Sequence, residues 1–281
     1  MMKTICVAGA GTMGSGIALA SARAGFDVLL FDAQQEALTR AETMIGQQVQ
    51  QMLDKQRISA EAAAALKARI RYVSELNDCL ADCFIEAIVE KMEVKTGLFQ
   101  SLMALNGPGS IYASNTSSLS ITTLQESLPY PGRVVGMHFF NPAHVMKLVE
   151  VVTGKFTNPE VAEAITDLCK KLDKTPVQCT DAPGFIVNRV ARHYYLEALK
   201  LADEGYASVE QIDKIMEATG FKMGPFRLMD LIGMDINLAV SQSLYEAFDH
   251  ETRFKPSPLQ ERKVAARELG RKTGKGFYEY S

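Results

Sequence analysis

The stretch ICVAGAGTMGSG, Ile5 to Gly16, decides the fold of this chain. Its first four residues are apolar and predict a buried strand, and the small residues that follow favour a helix as far as Ala24. Gly9, Gly11 and Gly14 have the G-x-G-x-x-G spacing of a tight turn whose N–H groups and following helix dipole bind a pyrophosphate. A purely structural turn is the alternative interpretation, because this spacing alone is not specific.

The second predicted strand favours the binding interpretation. Val28 to Phe31 are apolar, and Asp32 follows them where an acid would accept hydrogen bonds from an adenosine ribose. The same carboxylate would repel a 2′-phosphate, which favours NAD over NADP. We therefore predict that NAD binds, and that its contacts include Asp32 and the turn residues Gly9, Ala10, Gly11, Thr12, Met13 and Gly14.

Composition limits the kind of protein. A chain of 281 residues with 47% hydrophobic and 22% charged residues predicts one or two globular domains. A net charge of −3 disfavours nucleic acid or an anionic membrane as the main partner. We find no signal segment and no apolar run of membrane-spanning length, so we expect a cytoplasmic protein. Cys79 and Cys83 lack further ligands nearby in the sequence, and we predict no metal site.

Beyond Asp32, residues 34–67 predict a helical hairpin with Ser59 as the N-cap of its second helix. The basic surface of this hairpin is either a solvated helix face or a contact for an extended anionic substrate. Strands alternating with helices then predict a parallel, doubly wound, Rossmann-like sheet, whose ligands lie at the carboxyl ends of the strands. The further predicted strands are Ile70 to Val73, Cys83 to Val89, Ile111 to Ser114, Arg133 to Phe140, Met146 to Val152 and Thr175 to Cys179.

The composition changes at Asp181-Ala182-Pro183-Gly184. We predict a dinucleotide-binding domain with a helical hairpin insertion over residues 1–183, and an all-helical substrate and dimerisation domain over residues 184–281. The helical domain has more apolar positions than one core face needs, which favours a homodimer through these helices. Its predicted helices are Ile186 to Glu204, Ser208 to Thr219, and Pro225 to about Asp249.

Catalysis of hydride transfer from an alcohol needs a base and a group that orients the base. Among the four histidines only His138 lies at the end of a predicted strand and in a chemically unusual segment, HFFNP. A histidine on an apolar strand is often only a satisfied core residue. Glu150 favours the catalytic interpretation, because a carboxylate inside the aliphatic run LVEVV needs a partner and would orient an imidazole.

Other polar residues remain ambiguous from the sequence alone. Residues 115–118, Asn-Thr-Ser-Ser, are either a helix cap or contacts for a substrate oxygen. Asn188 is either another cap or a residue that reaches the substrate. Glu90 follows an apolar strand and is either functional or solvated.

Nine segments in order resemble the short-chain 3-hydroxyacyl-CoA dehydrogenase family, most closely its bacterial 3-hydroxybutyryl-CoA members. The resemblance covers essentially the whole chain and implies an NAD-binding domain, a helical dimerising domain and a substrate between them. The segments are GAGTMGSGIA, the aspartate at 32, AIVEKMEVK, SNTSSL, HFFNP, MKLVEVV, DAPGFIVNR, GPFRLMDLIG and KTGKGFYEY.

The resemblance also implies roles for individual residues. His138 would be the general base and Glu150 its partner, while Ser117 and Asn188 would contact the substrate oxygen. A less well matched lysine, Lys55, would lie near coenzyme A. The implied cofactor contacts beyond the glycine turn are Asp32, Glu90, Lys95, Ser117, Asn141 and Lys272.

The implied reaction is the reversible oxidation of a (3S)-3-hydroxyacyl-CoA to the 3-oxoacyl-CoA with NAD. Two alternatives remain at this point. One is an NAD-dependent dehydrogenase of a hydroxy acid without coenzyme A, and the other is a dinucleotide-binding protein without catalytic activity.

Overall fold

The computed structural model describes residues 2–280 and divides the chain into two compact units, Met1–Ala182 and Pro183–Ser281. The first unit is built on one eight-stranded sheet with the strand order 3-2-1-4-5-6-7-8. Its strands are β1 Thr4–Ala8, β2 Asp27–Phe31, β3 Ile70–Val73, β4 Cys83–Glu86, β5 Ile111–Ser114, β6 Val134–Phe139, β7 Leu148–Thr153 and β8 Thr175–Thr180.

Helices cover this sheet and bury its apolar residues. The helix after the glycine turn buries residues 14–22 without interruption, because its glycine, alanine and serine side chains allow close packing. The helices of the first unit are α1 Thr12–Arg23, α2 Gln35–Asp54, α3 Ala60–Ala68, α4 Met92–Asn106, α5 Ile121–Glu126 and α6 Pro159–Lys171. The predicted hairpin is confirmed as α2 and α3, and the Ser59 hydroxyl accepts a hydrogen bond from the Ala62 N–H at 3.2 Å.

The direction of the last strands differs from the prediction. Strands β1 to β6 pair in parallel, but β7 is antiparallel to β6, and β8 is parallel to β7. The predicted parallel sheet is therefore confirmed for most of the strand pairs and was wrong for the pairing of β6 with β7. The reason is the connection: residues 140–147 join β6 to β7, and this is too short for a parallel crossover, which needs about a dozen residues or more.

The second unit is helical, as predicted, but its helices are divided differently. The helix predicted from Pro225 to about Asp249 is two helices, because Gly233 has a φ of 103° and interrupts the helical backbone. A further helix, α11, was not predicted. The helices are α7 Val187–Asp203, α8 Val209–Ala218, α9 Pro225–Ile232, α10 Met234–Ala247 and α11 Pro258–Ala265.

Two buried carboxylates hold the end of the chain against the helices of the second unit. Asp230 on α9 accepts hydrogen bonds from the N–H groups of Phe277 and Tyr278 at 2.9 and 3.0 Å. Asp213 on α8 accepts from the Tyr278 hydroxyl at 2.8 Å. Buried carboxylates need such donors, so these hydrogen bonds fix the tail against α8 and α9. Within the part of the chain that the structure describes, no helix is long and apolar enough to cross a membrane.

Candidate active site

The turn between β1 and α1 has the geometry of a phosphate-binding loop. Gly9 has a φ of 108°, and a Cβ there would lie 2.5 Å from the Ala87 carbonyl oxygen. A Cβ on Gly14 would collide with the Gly9 carbonyl. Gly11 is different, because a Cβ there would have no protein atom within 4 Å. Packing therefore explains the first and third glycines, and the open space at Gly11 would let a pyrophosphate approach the protein backbone.

The N-terminus of α1 supports the same function. Its N-cap is Gly11, no side chain caps the helix, and no acidic residue lies in its first turn. No side chain of the helix therefore neutralises the positive end of the helix dipole. The first-turn N–H groups, which include those of Thr12 and Met13, can bind an anion there. The residues present fit the pyrophosphate of a dinucleotide.

Asp32 lies beside this turn at the end of β2. Its Oδ2 accepts the Ala10 N–H at 2.9 Å, and its Oδ1 accepts the Gln34 N–H at 3.0 Å. Each carboxylate oxygen has a second lone pair, so the group keeps acceptor capacity for a ribose hydroxyl. The backbone bonds fix the carboxylate at the position that the sequence predicts.

A buried lysine links two carboxylates, one at the end of β4 and one in the segment between β4 and α4. The Lys95 ammonium, 1% exposed, lies 2.5 Å from Glu86 Oε1 and 3.0 Å from Glu90 Oε2. Glu86 also accepts the Ser114 hydroxyl at 2.7 Å. Glu86 was not predicted, although a carboxylate in the apolar strand CFIE is the same kind of pattern that identified Glu150.

Glu90 organises the segment after β5. Its Oε1 accepts the Thr116 hydroxyl at 2.6 Å, the Ser117 N–H at 2.9 Å and the Ser118 hydroxyl at 3.2 Å. Burial alone would raise the pKa of Glu90, but the Lys95 ammonium and the hydrogen bonds from Thr116 and Ser117 outweigh burial and hold this pKa below its ordinary value. The ionised carboxylate thereby places Ser117 near the carboxyl ends of β4 and β5.

His138 and Glu150 face each other across the antiparallel pair β6 and β7. The His138 Nδ1 lies 2.7 Å from the Glu150 Oε2, and the two residues are 6% and 1% exposed. An ionised carboxylate only accepts hydrogen bonds, so the proton of a neutral imidazole lies on Nδ1 and the lone pair on Nε2. This is the arrangement of an oriented general base.

Two further polar side chains hold the end of β6 and the segment that joins it to β7. The Asn115 side-chain oxygen accepts the Phe139 N–H at 2.8 Å. The buried Lys174 ammonium donates to the carbonyls of Ala143 and Met146 at 2.6 and 2.8 Å. Lys174 was not predicted, and no pattern in the sequence singles it out.

The structure places the predicted site residues in separate groups. Asp32 and the glycine turn form one group. Lys95, Glu90 and Ser117 form a second, and His138 and Glu150 form a third.

Four predicted site residues lie outside these groups. Asn141 is exposed at the start of the 140–147 connection, and Lys55 is the C-cap of α2. The remaining two, Asn188 at the start of α7 and Lys272 in the tail, belong to the second unit, where Lys272 Nζ lies 2.5 Å from Asp235 Oδ1.

No ligand site for a metal was found among residues 2–280, in which no three His, Cys, Asp or Glu side chains converge as metal ligands. The groups that the structure does bring to this part of the chain are a glycine turn that fits a dinucleotide, an oriented imidazole and hydroxyl donors. Together they define the class of an NAD-dependent dehydrogenase.

The chain belongs to the 3-hydroxyacyl-CoA dehydrogenase family. The family model of the 3-hydroxyacyl-CoA dehydrogenase NAD binding domain matches residues 4–182, and that of the C-terminal domain matches residues 184–280. The resemblance, the fold class and NAD as the cofactor are thereby confirmed, and the family's members are NAD-dependent 3-hydroxyacyl-CoA dehydrogenases.

Three relatives illustrate the similarity. A 3-hydroxyadipyl-CoA dehydrogenase of Escherichia coli is 44% identical over 99% of this chain, which spans only 59% of that protein's length. A probable 3-hydroxybutyryl-CoA dehydrogenase of Deinococcus radiodurans is 41% identical, with 98% of this chain and 99% of that protein covered. The crystal structure of (S)-3-hydroxybutyryl-CoA dehydrogenase from Ralstonia eutropha superposes with a TM-score of 0.95 at 37% identity, covering 100% of both chains.

Proposed function

We propose that this protein interconverts a (3S)-3-hydroxyacyl-CoA and the 3-oxoacyl-CoA by hydride transfer to or from NAD. The observation that carries the proposal is the buried pair of His138 and Glu150, 2.7 Å apart, in a sheet whose first turn fits a dinucleotide. Membership of the family supplies the substrate class, an acyl ester of coenzyme A.

In this proposal His138 is the catalytic base. When bound, NAD+ supplies the hydride acceptor for C3 of the substrate. His138 Nε2 takes the proton of the 3-hydroxyl, and the Glu150 carboxylate stabilises the imidazolium that forms. Ser117 and Asn188 donate hydrogen bonds to the substrate oxygen and keep it near the imidazole. In the reverse direction the imidazolium returns the proton.

We assign cofactor contacts to two kinds of residue. The backbone of the turn from Gly9 to Gly14 binds the pyrophosphate, and Asp32 binds the adenosine ribose. Polar side chains bind the nicotinamide half or close the site over it; these are Glu90, Lys95, Ser117, Asn141 and Lys272. The alternative for Lys95 and Lys272 is a purely structural role, since the amine of each already pairs with carboxylates.

Coenzyme A, dimerisation and location complete the proposal. Lys55, at the end of α2 on the helical hairpin, contacts the anionic coenzyme A moiety. The helices of the second unit pair two copies of the chain, because several large apolar side chains on these helices and next to their ends are exposed. The enzyme acts in the cytoplasm. The exposed side chains are Ile186, Val190, Tyr206, Ile215, Phe221, Leu231 and Ile236.

One assay tests the reaction and distinguishes the alternatives. NADH oxidation is followed with acetoacetyl-CoA and, separately, with free acetoacetate. Rapid turnover of the CoA ester alone supports the proposal. Turnover of free acetoacetate at a similar kcat/KM would indicate a hydroxy acid dehydrogenase, and NADH binding without turnover of either compound would indicate a non-catalytic dinucleotide-binding protein.

The relatives differ in the acyl group that their names give. The Escherichia coli relative is named for an acyl chain that ends in a carboxylate, and the Deinococcus radiodurans relative for one that ends in a methyl group. The choice between these two classes has to come from this chain's own residues.

A further inference from the structure

Arg192 is a buried cation with no carboxylate partner among residues 2–280. It lies on α7, is 3% exposed, and packs over the ring of Tyr195 at 4.8 Å. One guanidinium nitrogen, Nη1, donates to the Asn237 carbonyl at 2.8 Å and to the Ser241 hydroxyl at 2.9 Å. Burial lowers the pKa of Arg192 to about 10, so the guanidinium is still charged at neutral pH.

Two buried donors in this cluster have no acceptor. The Arg192 Nε and the Asn237 Nδ2 are both inaccessible to solvent and without a hydrogen-bond partner in the described chain. The Asn237 side-chain oxygen is already occupied, because it accepts from Gln260 Nε2 at 2.6 Å. Buried donors and buried cations are nearly always paired, since leaving them unpaired is costly. What this cluster lacks is an acceptor that carries a negative charge.

The position of the cluster on α7 indicates which anion would reach it. Arg192 lies four residues after Asn188, so the two side chains are on the same face of the helix and about 6 Å apart along its axis. In the proposed function Asn188 contacts the oxygen on C3 of the substrate. In a six-carbon acyl chain, the terminal carbon is three bonds from C3, about 4 Å when extended. A carboxylate there is within reach of a guanidinium one helical turn away.

We propose that Arg192, together with Asn237, binds the distal carboxylate of a dicarboxylic acyl group, and that the protein therefore selects 3-hydroxyacyl-CoA esters whose acyl chain ends in a carboxylate. This inference rests on the proposed function, since it takes the C3 oxygen to lie at Asn188. The carboxylate supplies the missing charge and accepts from the unpaired donors, while a methyl group at the same place leaves them unpaired.

The test compares two substrates of equal length, 3-hydroxyadipyl-CoA and 3-hydroxyhexanoyl-CoA, which differ only in the terminal carboxylate or methyl group. We expect the wild-type kcat/KM to favour the diacid ester by about 10-fold or more, the scale of one hydrogen bond to a charged group. Arg192→Met should lose this preference, a loss of about 10-fold or more, and turn over the two esters with about equal kcat/KM. The matched control is Arg262→Met, which removes an exposed arginine on α11 paired with Asp203 and should leave the preference unchanged.

A binding measurement without turnover separates this role from a structural one. Adipyl-CoA and hexanoyl-CoA lack the 3-hydroxyl and are therefore not turned over. Titration calorimetry measures their affinities, and scanning calorimetry measures the increase in Tm that each causes. Adipyl-CoA should raise the wild-type Tm more than hexanoyl-CoA does, and the two should act equally on Arg192→Met. If Arg192→Met does not fold, Arg192→Gln and Asn237→Leu replace it in the same measurements.

Several outcomes would overturn the carboxylate site. These are a wild type that prefers the hexanoyl ester, an Arg192 variant that loses both substrates equally, or one that changes only the oligomeric state because a second copy supplies the acceptor. A wild type that reduces acetoacetyl-CoA without preferring the diacid refutes the carboxylate site and not the proposed function. A wild type that turns over no CoA ester refutes the proposed function, and adipyl-CoA binding then decides the carboxylate site separately.

Discussion

His138 lies near the end of β6, and its Nδ1 is held by the buried carboxylate of Glu150. His138→Ala should lower kcat for acetoacetyl-CoA reduction by about 10²–10⁴, the usual contribution of general acid–base catalysis. NADH affinity, measured by fluorescence titration, should hardly change. His250→Ala is the control, because that histidine is exposed and pairs with Glu246. Near-normal turnover in His138→Ala would remove it from the mechanism.

Glu150 allows a sharper experiment, because glutamine fills the same volume and its amide oxygen can still accept the imidazole N–H. We expect Glu150→Gln to retain the Tm and NADH affinity of the wild type, while kcat falls by about 10²-fold or more, since a neutral amide does not stabilise an imidazolium. Glu163→Gln on the exposed side of α6 is the control. A lower Tm with normal turnover of the folded fraction would instead make Glu150 a structural residue.

These residues differ in how far the sequence alone could identify them. Glu150 and His138 were predicted because a carboxylate in an aliphatic strand requires a partner, and the same argument applied to Glu86 would have found it. Lys174 could not be predicted in this way. Its partners are backbone carbonyls of the 140–147 connection, which carry no side-chain pattern.

Among the structural elements, the glycine turn contains glycines with two different roles. Gly9 and Gly14 are required by packing, whereas Gly11 leaves space for the ligand. Gly11→Ala should change the free energy of unfolding by no more than about 1 kcal/mol, because its φ of −74° suits alanine and no protein atom is close. NADH affinity should nevertheless fall about 10-fold or more, since the new methyl group occupies the space of the ligand. The control is Gly97→Ala in α4, also in open space, which should stabilise by about 0.5–1 kcal/mol and leave NADH binding intact. Wild-type NADH affinity in Gly11→Ala would contradict this assignment.

The 140–147 connection should have a pH-dependent stability of its own through Lys174. Burial, together with the nearby Arg23 and Lys147 cations, lowers the pKa of Lys174 to about 8. The folded protein therefore loses this proton at a lower pH than the unfolded chain, so stability rises as the pH passes from about 8 towards the ordinary lysine pKa. Below pH 8 both states are protonated and there is no slope.

We expect the free energy of unfolding of the wild type, relative to Lys174→Met, to increase by about 2 kcal/mol between pH 7 and pH 10. Urea denaturation at several pH values measures this free energy. The free energy of unfolding of Lys171→Met, which removes an exposed lysine nearby, should change with pH as that of the wild type does. A constant difference between wild type and Lys174→Met would show that Lys174 titrates alike in both states.

For helices and strands, the sequence was a good guide to where they form. It was a poorer guide to where a helix is interrupted and in which direction a strand runs. The strands Ile70–Val73 and Ile111–Ser114 are confirmed at both ends. The break at Gly233 was missed because apolar periodicity continues through it from α9 into α10. Helix α11 has a charged sequence with one buried residue, Gln260, and so lacks the apolar stripe from which a helix is predicted.

For the molecule as a whole, the exposed apolar side chains of the second unit predict self-association. A stable dimer buries roughly 800 Å² on each protomer, which exposed helix faces can provide. In sedimentation velocity we expect a dimer for the wild type and a monomer for the double variant Val190→Asp, Ile236→Asp, because charges in an apolar interface are costly. Val94→Asp on α4 of the first unit should remain dimeric. A monomeric wild type, or a dimeric double variant, would contradict pairing through these helices.

Family membership was accessible from the sequence because nine segments lie in the family's order along the whole chain, and the matches to residues 4–182 and 184–280 confirm it. The acyl class was not accessible in this way. Arg192 lies within a helical segment in which an arginine is unremarkable. Only its burial without a carboxylate, visible in three dimensions, marks it out.

The antiparallel pairing of β6 with β7 also determines where the chain can gain or lose residues. Because His138 and Glu150 are opposite each other in a ladder of backbone hydrogen bonds, their spacing does not depend on the length of chain that joins them. A deletion of one residue within β7 is a different matter. Neighbouring side chains point to opposite faces of a strand, so a slip of one position would bring Val149 or Val151 opposite the imidazole and turn the carboxylate to the other face. Insertions that arise in this protein by evolution or by design should therefore fall in the connecting segments, while the two strands keep a constant length.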